Sequence, residues 1–358
     1  MKNSTSFIHV SYEFKESAKG TRTMAMIMFL IVVVGTFGNG MIAITYLQSP
    51  KLRKKFLLTI ALALLSSCGS LFYLLDIYHL YYRDVMKDPI CTIHAYVIST
   101  LCVGAIHQLT VLTLERYIGV MYPFVSMKLP MRTKILVSAI AFLWTLVTTT
   151  PPLFGWSKYK VIDKSLHYCV FDYLSKDIST QDYITFLFIN AYVIPFLIIS
   201  FTNYKIYKIT KNMLTDRRVS LHHSRLRSTQ STTSTFFSES DKERTVEDLA
   251  KLCKDNNLDR NKEFQDQLLA FDKSEKKCTK IIGCCVMTFL ISWTPYAFTA
   301  VVWNMVFDYH LNSTIVLMTA VFAKCFVIWP PIIYGYLDMQ FRNQTAQWMR
   351  KTFKYWLE

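Results

Sequence analysis

The sequence lacks the signatures of soluble catalysis. It has no phosphate-binding glycine loop, no zinc-ligand spacing among its nine cysteines and no serine nucleophile elbow. Nothing in it points to nucleotide hydrolysis, zinc chemistry or serine-based acyl transfer, and neither an enzymatic activity nor a metal site is expected. Acidic residues are few, 25 against 40 Lys and Arg, for a formal charge of +15. A basic nucleic-acid binder would spread such charge over a soluble face. Here much of it fills short gaps between apolar runs, as at Lys51, Arg53, Lys54 and Lys55, so no nucleic-acid partner is expected. No cleavable signal peptide is expected either. The first 20 residues are polar, and the first apolar run is too long for a signal's core, so that run is expected to start insertion itself.

What the chain has instead is apolar length. Of its 358 residues 52% are apolar, in runs long enough to cross the hydrocarbon core, which takes about 20 residues as a helix. Seven runs fall at about 24–47, 57–82, 91–121, 134–153, 182–210, 276–307 and 313–337. An all-α fold follows: a seven-transmembrane-helix bundle over 24–337, between an N-terminal tail (1–23) and a short C-terminal segment (338–358). The first gap and the tail after the last run (Arg342, Arg350, Lys351, Lys354) are basic, which assigns both to the cytosol against anionic lipid. The N-terminus is then extracellular, and Asn3-Ser4-Thr5 is a glycosylation acceptor on that side. Lys158, Lys160, Lys164 and Lys176 run against this orientation, but they lie in a long loop, where the charge rule weakens.

The widest gap, 211–275, is a long cytoplasmic loop. Its first part, Arg217 to Ser240, is rich in Ser, Thr and Arg without apolar period and reads as disordered and open to phosphorylation. Its second part, Glu243 to Phe271, mixes charges with leucine and reads as a surface helix. After run seven, Met339 to Leu357 alternates basic residues with Phe341, Trp348, Met349, Phe353 and Trp356, as in a short amphipathic helix on the membrane surface.

Cysteine placement follows from the orientation. Cys68, Cys102, Cys284, Cys285 and Cys325 lie within apolar runs, and Cys253 and Cys278 are on the reducing side. Cys91 and Cys169 fall outside, where a disulfide can form. They pair or remain two free thiols; a pair would pin the long external loop across the mouth of the bundle.

Run three ends Glu115-Arg116-Tyr117, an ionic pair at the cytosolic end of a helix. Run six contains Ser292-Trp293-Thr294-Pro295-Tyr296, with an aromatic residue beside a proline that breaks the helix ladder. Either alone is ordinary packing. Together with Asn39, Trp144 and Pro195 in runs one, four and five, their order resembles the rhodopsin-like G-protein-coupled receptors over nearly the whole chain. Within that family the sequence looks like an opsin, of an invertebrate type. Pro151-Pro152-Leu153-Phe154-Gly155-Trp156-Ser157 resembles the opsin segment that leads into the loop plug. Phe322-Ala323-Lys324-Cys325 resembles the setting of the retinal lysine, and the spacing on to Tyr334 and Phe341-Arg342 matches without gaps.

The resemblance implies retinal, 11-cis in the dark, held as a Schiff base on Lys324. Trp293 and Tyr296 would flank the polyene, and Phe188 and Tyr192 would line the ring end. It further implies a plasma-membrane receptor that couples to a heterotrimeric G protein, with arrestin, a receptor kinase and membrane lipid as partners. The residues themselves support a role for Lys324. A charged lysine in the membrane core costs a few kcal/mol or more, about 2.5–3.5 on insertion scales, and an unprotonated amine is a nucleophile toward aldehydes. The alternatives are a structurally paired or snorkelling lysine, and plain core aromatic residues.

Three departures from the opsin pattern stand out. The position that often carries a glutamate, three residues after the run-three cysteine, is His94. The external loop offers Ile162 or Asp163 in the register where other opsins hold a carboxylate. Asp76, buried in run two, is the other acid, so Asp76, Asp163 and the His94 position are the counterion candidates, with a bound anion or an unprotonated pigment as further possibilities. Second, run two reads Leu64-Leu65-Ser66-Ser67 where the family has an aspartate. Third, the Asn-Pro-x-x-Tyr of run seven becomes Pro330-Pro331-Ile332-Ile333-Tyr334. Glu275 stands where it would pair with Arg116 in the dark state, so Glu115, Arg116, Tyr117, Glu275, Pro331 and Tyr334 are the expected signalling switch. Two other functions compete with a light-activated receptor: a retinal photoisomerase, which needs Lys324 but no coupling, and a chemosensory or peptide receptor. An amine receptor is disfavoured because Ile98 occupies the place of the required run-three acid.

Overall fold

The structure is a computed structural model and describes residues 2–161, 167, 169–209, 258–303 and 313–357. Asp163 and residues 210–257 lie outside the described residues, as do the side chains of Asn3 and Glu275. Among the described residues, seven helices are long and apolar enough to cross a membrane: Gly20–Leu47, Leu57–Tyr82, Ile90–Met121, Met131–Thr149, Ile178–Ile209, Thr279–Trp303 and Met318–Leu337. Strand is confined, among the described residues, to one antiparallel pair, Tyr159–Lys160 against Val170–Phe171, in the loop after the fourth span.

Several helices run past the ends read from hydropathy, because a helix does not stop where its lipid-facing stretch stops. The first extends from Lys2 to Leu47, so the polar segment expected as a tail is helical backbone. The sixth begins at Leu258, which puts Glu275 within the helix rather than at its start. The surface helix expected over Glu243 to Phe271 is thus described only from Leu258 on, as part of this sixth helix.

Interruptions fall at prolines. The fifth span opens with Asp177 as N-cap, its carboxylate accepting from Thr180 N–H at 3.0 Å, and widens to a π turn over Ile189–Val193 just before Pro195. Proline has no N–H to give and its ring crowds the preceding turn, so the ladder loosens there. The sixth helix holds Pro295 and turns π over Phe298–Trp303. The seventh runs Ser313–Lys324, tightens to a 3-10 turn over Cys325–Ile328 and restarts over Trp329–Leu337. Pro330 and Pro331 fall in the first turn of that last segment, where a missing N–H costs little. The fourth helix ends in a 3-10 turn, Pro151–Phe154, closed by Gly155 at φ 92°, a left-handed conformation that a side chain would strain.

The chain forms two compact units. The larger comprises Met1–Leu114, Leu129–Ser200 and Ile281–Glu358; the smaller comprises Glu115–Lys128 and Phe201–Lys280. In the larger unit the first and seventh helices approach closely. Asn39 Nδ2 donates to the carbonyls of Gly35 and Val327, both at 2.8 Å. A methyl group on Gly38 would lie 2.6 Å from Pro331, so glycine is what lets the two backbones meet. The terminal helix, Met339–Leu357, is anchored by the buried Asp338. One carboxylate oxygen accepts from Gln340 N–H at 2.9 Å and the other from the Tyr46 hydroxyl at 2.8 Å. Trp144, Leu136 and Leu143 stay exposed on the fourth helix, as a lipid-facing surface allows.

Candidate functional site

Lys324 ends the helical segment of the seventh span that precedes its 3-10 turn. Its side chain is mostly buried, and Nζ sits 2.7 Å from Asp76 Oδ2. Asp76 comes from the second helix, where Tyr73, three residues earlier, shares its face. The Tyr73 ring lies under the ammonium, with Nζ 4.5 Å from the ring centroid, and its hydroxyl pairs with Cys102 Sγ at 3.2 Å. The second Asp76 oxygen, Oδ1, meets His94 Nε2 of the third helix at 2.7 Å. Three helices therefore converge on one buried carboxylate, whose side chain is 1% exposed.

Lys324 and Asp76 line a cavity of about 90 Å³. Ile98 and Cys102 of the third helix, Trp293 and Tyr296 of the sixth and Ala320 and Ala323 of the seventh form much of its wall. Trp293 and Tyr296 meet edge to face with ring centroids 6.3 Å apart, and Trp293 Nε1 is buried without a hydrogen-bond partner. The two alanines leave room beside the lysine. Ile98 confirms that this part of the third helix brings no acid to the cavity.

The external loop lines one side of the cavity. Cys91 and Cys169 are bonded, with Cα atoms 5.4 Å apart, and Cys169, Val170 and Phe171 line the cavity from the loop side. The loop is braced by Asp172, which is fully buried. It accepts from Leu174 N–H at 3.2 Å, Ser175 N–H at 3.1 Å and the Ser175 hydroxyl at 2.7 Å, and pairs with Lys160 at 2.7 Å. Burial opposes its charge, yet the Lys160 ammonium and the Ser175 donors hold its carboxyl below the usual range. Tyr159, in the same hairpin, donates to the Thr149 carbonyl at 2.8 Å, and burial pushes its hydroxyl up to about 12.

The structure groups some of the expected residues and separates others. Lys324, Asp76, Trp293 and Tyr296 share the cavity. His94 is not a charge partner placed against Lys324; it is bonded to the acid that is. Phe188 and Tyr192 are not in the lining. They stack on each other with centroids 5.5 Å apart, and the Tyr192 hydroxyl pairs with Thr294 Oγ1 at 2.7 Å. Tyr73, Cys102, Val170 and Phe171 were not singled out from the sequence. Tyr73 had a usable signal, its helical spacing from Asp76; the loop residues had none.

In the smaller unit, Glu115 and Arg116 are buried and paired, Oε2 to Nη2 at 3.1 Å, with Tyr117 half-buried beside them. In the larger unit, Tyr334 packs edge-on to Tyr46 and Phe341, and its hydroxyl lies 3.5 Å from Thr59 Oγ1.

The family model for the seven-transmembrane receptors of the rhodopsin family matches residues 38–334. Medium-wave-sensitive opsin 1 of Sciurus carolinensis is 25% identical over 325 residues, covering 89% of this chain and 76% of that protein. Melanopsin of Branchiostoma belcheri is 24% identical over 320 residues, covering 88% of this chain but 40% of that longer protein. Pinopsin of Columba livia is 23% identical, covering 90% and 79%. Among solved structures, the crystal structure of squid rhodopsin superposes with a TM-score of 0.72 at 20% identity, over 94% of this chain and 87% of that one, a likeness of fold. These similarities bear out the opsin resemblance read from the motifs.

Proposed function

This chain belongs to the rhodopsin family of seven-transmembrane receptors, and from that premise we propose that it is a light-activated G-protein-coupled receptor that carries retinal on Lys324. One observation carries the reading: a lysine amine in the wall of a membrane-level cavity, paired at 2.7 Å with a buried aspartate. A buried cation needs such a partner.

The residues present fit the group. The lysine supplies the amine for an imine, the aspartate a negative charge beside it, and the remaining wall, Ser99 and Cys102 apart, is apolar and aromatic. A cavity of about 90 Å³ falls short of the roughly 300–1,000 Å³ of sites that enclose small ligands, so side chains along it must turn aside to admit a polyene. Retinal would supply light absorption and a change of shape. Everything else is the work of the chain. Lys324 fixes the attachment point. Asp76 keeps positive charge on the Lys324 nitrogen tolerable. Trp293 and Tyr296 confine what lies between them. The disulfide-pinned hairpin borders the cavity on the loop side.

The dark isomer is 11-cis in this reading, the N-terminus is extracellular, and the membrane is the plasma membrane. A G protein couples at the end of the third helix that carries Glu115 and Arg116, with a receptor kinase and arrestin acting after it and lipid held by the terminal helix. Glu275 would be the dark-state partner of Arg116, and Asn3 a glycan site. The external-loop alternative to Asp76, Asp163, lies outside the described residues.

The test is to purify the full chain after adding 11-cis-retinal in the dark and to record absorption before and after illumination. A light-sensitive band that Lys324→Ala abolishes is expected. Folded protein with no band would overturn the proposal.

A further inference from the structure

Asp76 is a shared acid. Its Oδ2 meets Lys324 Nζ and its Oδ1 meets His94 Nε2, both at 2.7 Å. An ionised carboxylate only accepts hydrogen bonds, so His94 carries a proton on Nε2 and donates it. The His94 side chain is 2% exposed and that of Asp76 1%, so solvent has no access to replace this donor. Of the other titratable groups of the cavity wall, Tyr73 and Cys102 are hydrogen-bonded to each other, and the Tyr296 ring packs against Trp293. A hydrogen bond to one carboxylate oxygen fixes the rotamer of the acid. It also draws negative charge toward that oxygen and away from the one facing the lysine.

We propose that His94 is a positioning residue for Asp76, and that its hydrogen bond sets how much negative charge the Lys324 nitrogen meets and so which wavelength the loaded receptor absorbs. This rests on the reading of Lys324 as the retinal lysine. Light excitation moves positive charge away from that nitrogen. A carboxylate beside the nitrogen therefore stabilises the ground state more than the excited state, by an amount that grows with the charge it presents. By holding part of that charge on Oδ1, His94 narrows the gap and shifts absorption to longer wavelength. In this receptor the third helix does not provide the acid; it adjusts an acid provided by the second.

The experiment uses the full-length receptor with 11-cis-retinal and compares wild type with His94→Met and His94→Gln, two side chains of similar length of which only glutamine donates. His94→Phe serves as a second donor-less variant should methionine prevent folding. Expected are a shift to shorter wavelength without the donor and absorption near the wild-type position with glutamine. A donor-less variant that absorbs with the wild type, or a glutamine variant displaced as far as the donor-less one, would overturn the proposal. A second readout needs no pigment. In retinal-free protein, a thermal double-mutant cycle of His94→Met with Asp76→Asn is expected to be non-additive, and additivity would count against the contact itself. Should wild type form no light-sensitive band, the retinal reading falls, while the cycle still decides whether His94 acts on Asp76.

Discussion

Single residues divide between those whose type announces a role and those whose role depends on neighbours. Lys324 and Asp76 were legible because ionisable groups in a membrane run demand a reason. Their pairing was not, since 248 residues of chain separate them and only the packing of the second helix against the seventh brings them to 2.7 Å. The partner of His94 was hidden for the same reason: its position, where a glutamate is often found, gave no sign of its contact with Asp76. Asp76→Asn is expected to remove the visible absorption of the loaded receptor, leaving an ultraviolet band; an unchanged visible spectrum would place the counterion elsewhere. Asp172 makes a prediction about acidity. Its carboxyl is held below the usual range by Lys160 and Ser175, so its stabilising effect is complete above its unfolded value, about 3.9. That effect fades as pH falls through the lower folded value. At neutral pH, Asp172→Asn is expected to cost about 1 kcal/mol, discounted because Lys160 is partly exposed. Melting temperatures of the two proteins should converge on acidification; a constant difference would refute the linkage.

Helices were legible as apolar runs, and all seven spans begin within a few residues of the expected positions. Their ends and interruptions were less so. Proline marked where the fifth, sixth and seventh helices depart from regular geometry, but not whether the departure would be π or 3-10, which depends on what packs around it. The Pro330-Pro331 pair looked like damage to a family motif. In the fold it begins a helical segment, and Gly38 on the first helix accommodates it. Gly38→Ala is expected to cost about 1–3 kcal/mol through the 2.6 Å approach to Pro331. Gly40→Ala, whose new methyl group would find its nearest neighbour at 3.7 Å, should be tolerated. Equal melting temperatures for the two variants would dismiss the close-approach argument. The start of the terminal helix rests on Asp338, and Asp338→Ala is expected to cost about 1–2 kcal/mol. Hydrogen exchange should show the amide of Gln340 opening faster in that variant, and unchanged protection would deny the cap.

At the scale of the whole molecule, the receptor fold could be read from the count of runs and the order of a few motifs. The external hairpin that lines one side of the cavity could not, because its contacts are set by loop geometry rather than by periodicity. Signalling belongs to this scale as well. If the buried Glu115–Arg116 pair holds the resting form, Glu115→Gln should raise nucleotide exchange on a G protein in darkness. Dark exchange equal to wild type would remove the pair from the switch. The ion pair at the heart of the cavity has a consequence for the chain before loading. A buried ammonium with its own carboxylate already at hand needs nothing from outside to be tolerated. The chain without its chromophore is then expected to stay folded, because the charge it would otherwise leave unmatched inside the bundle is already matched.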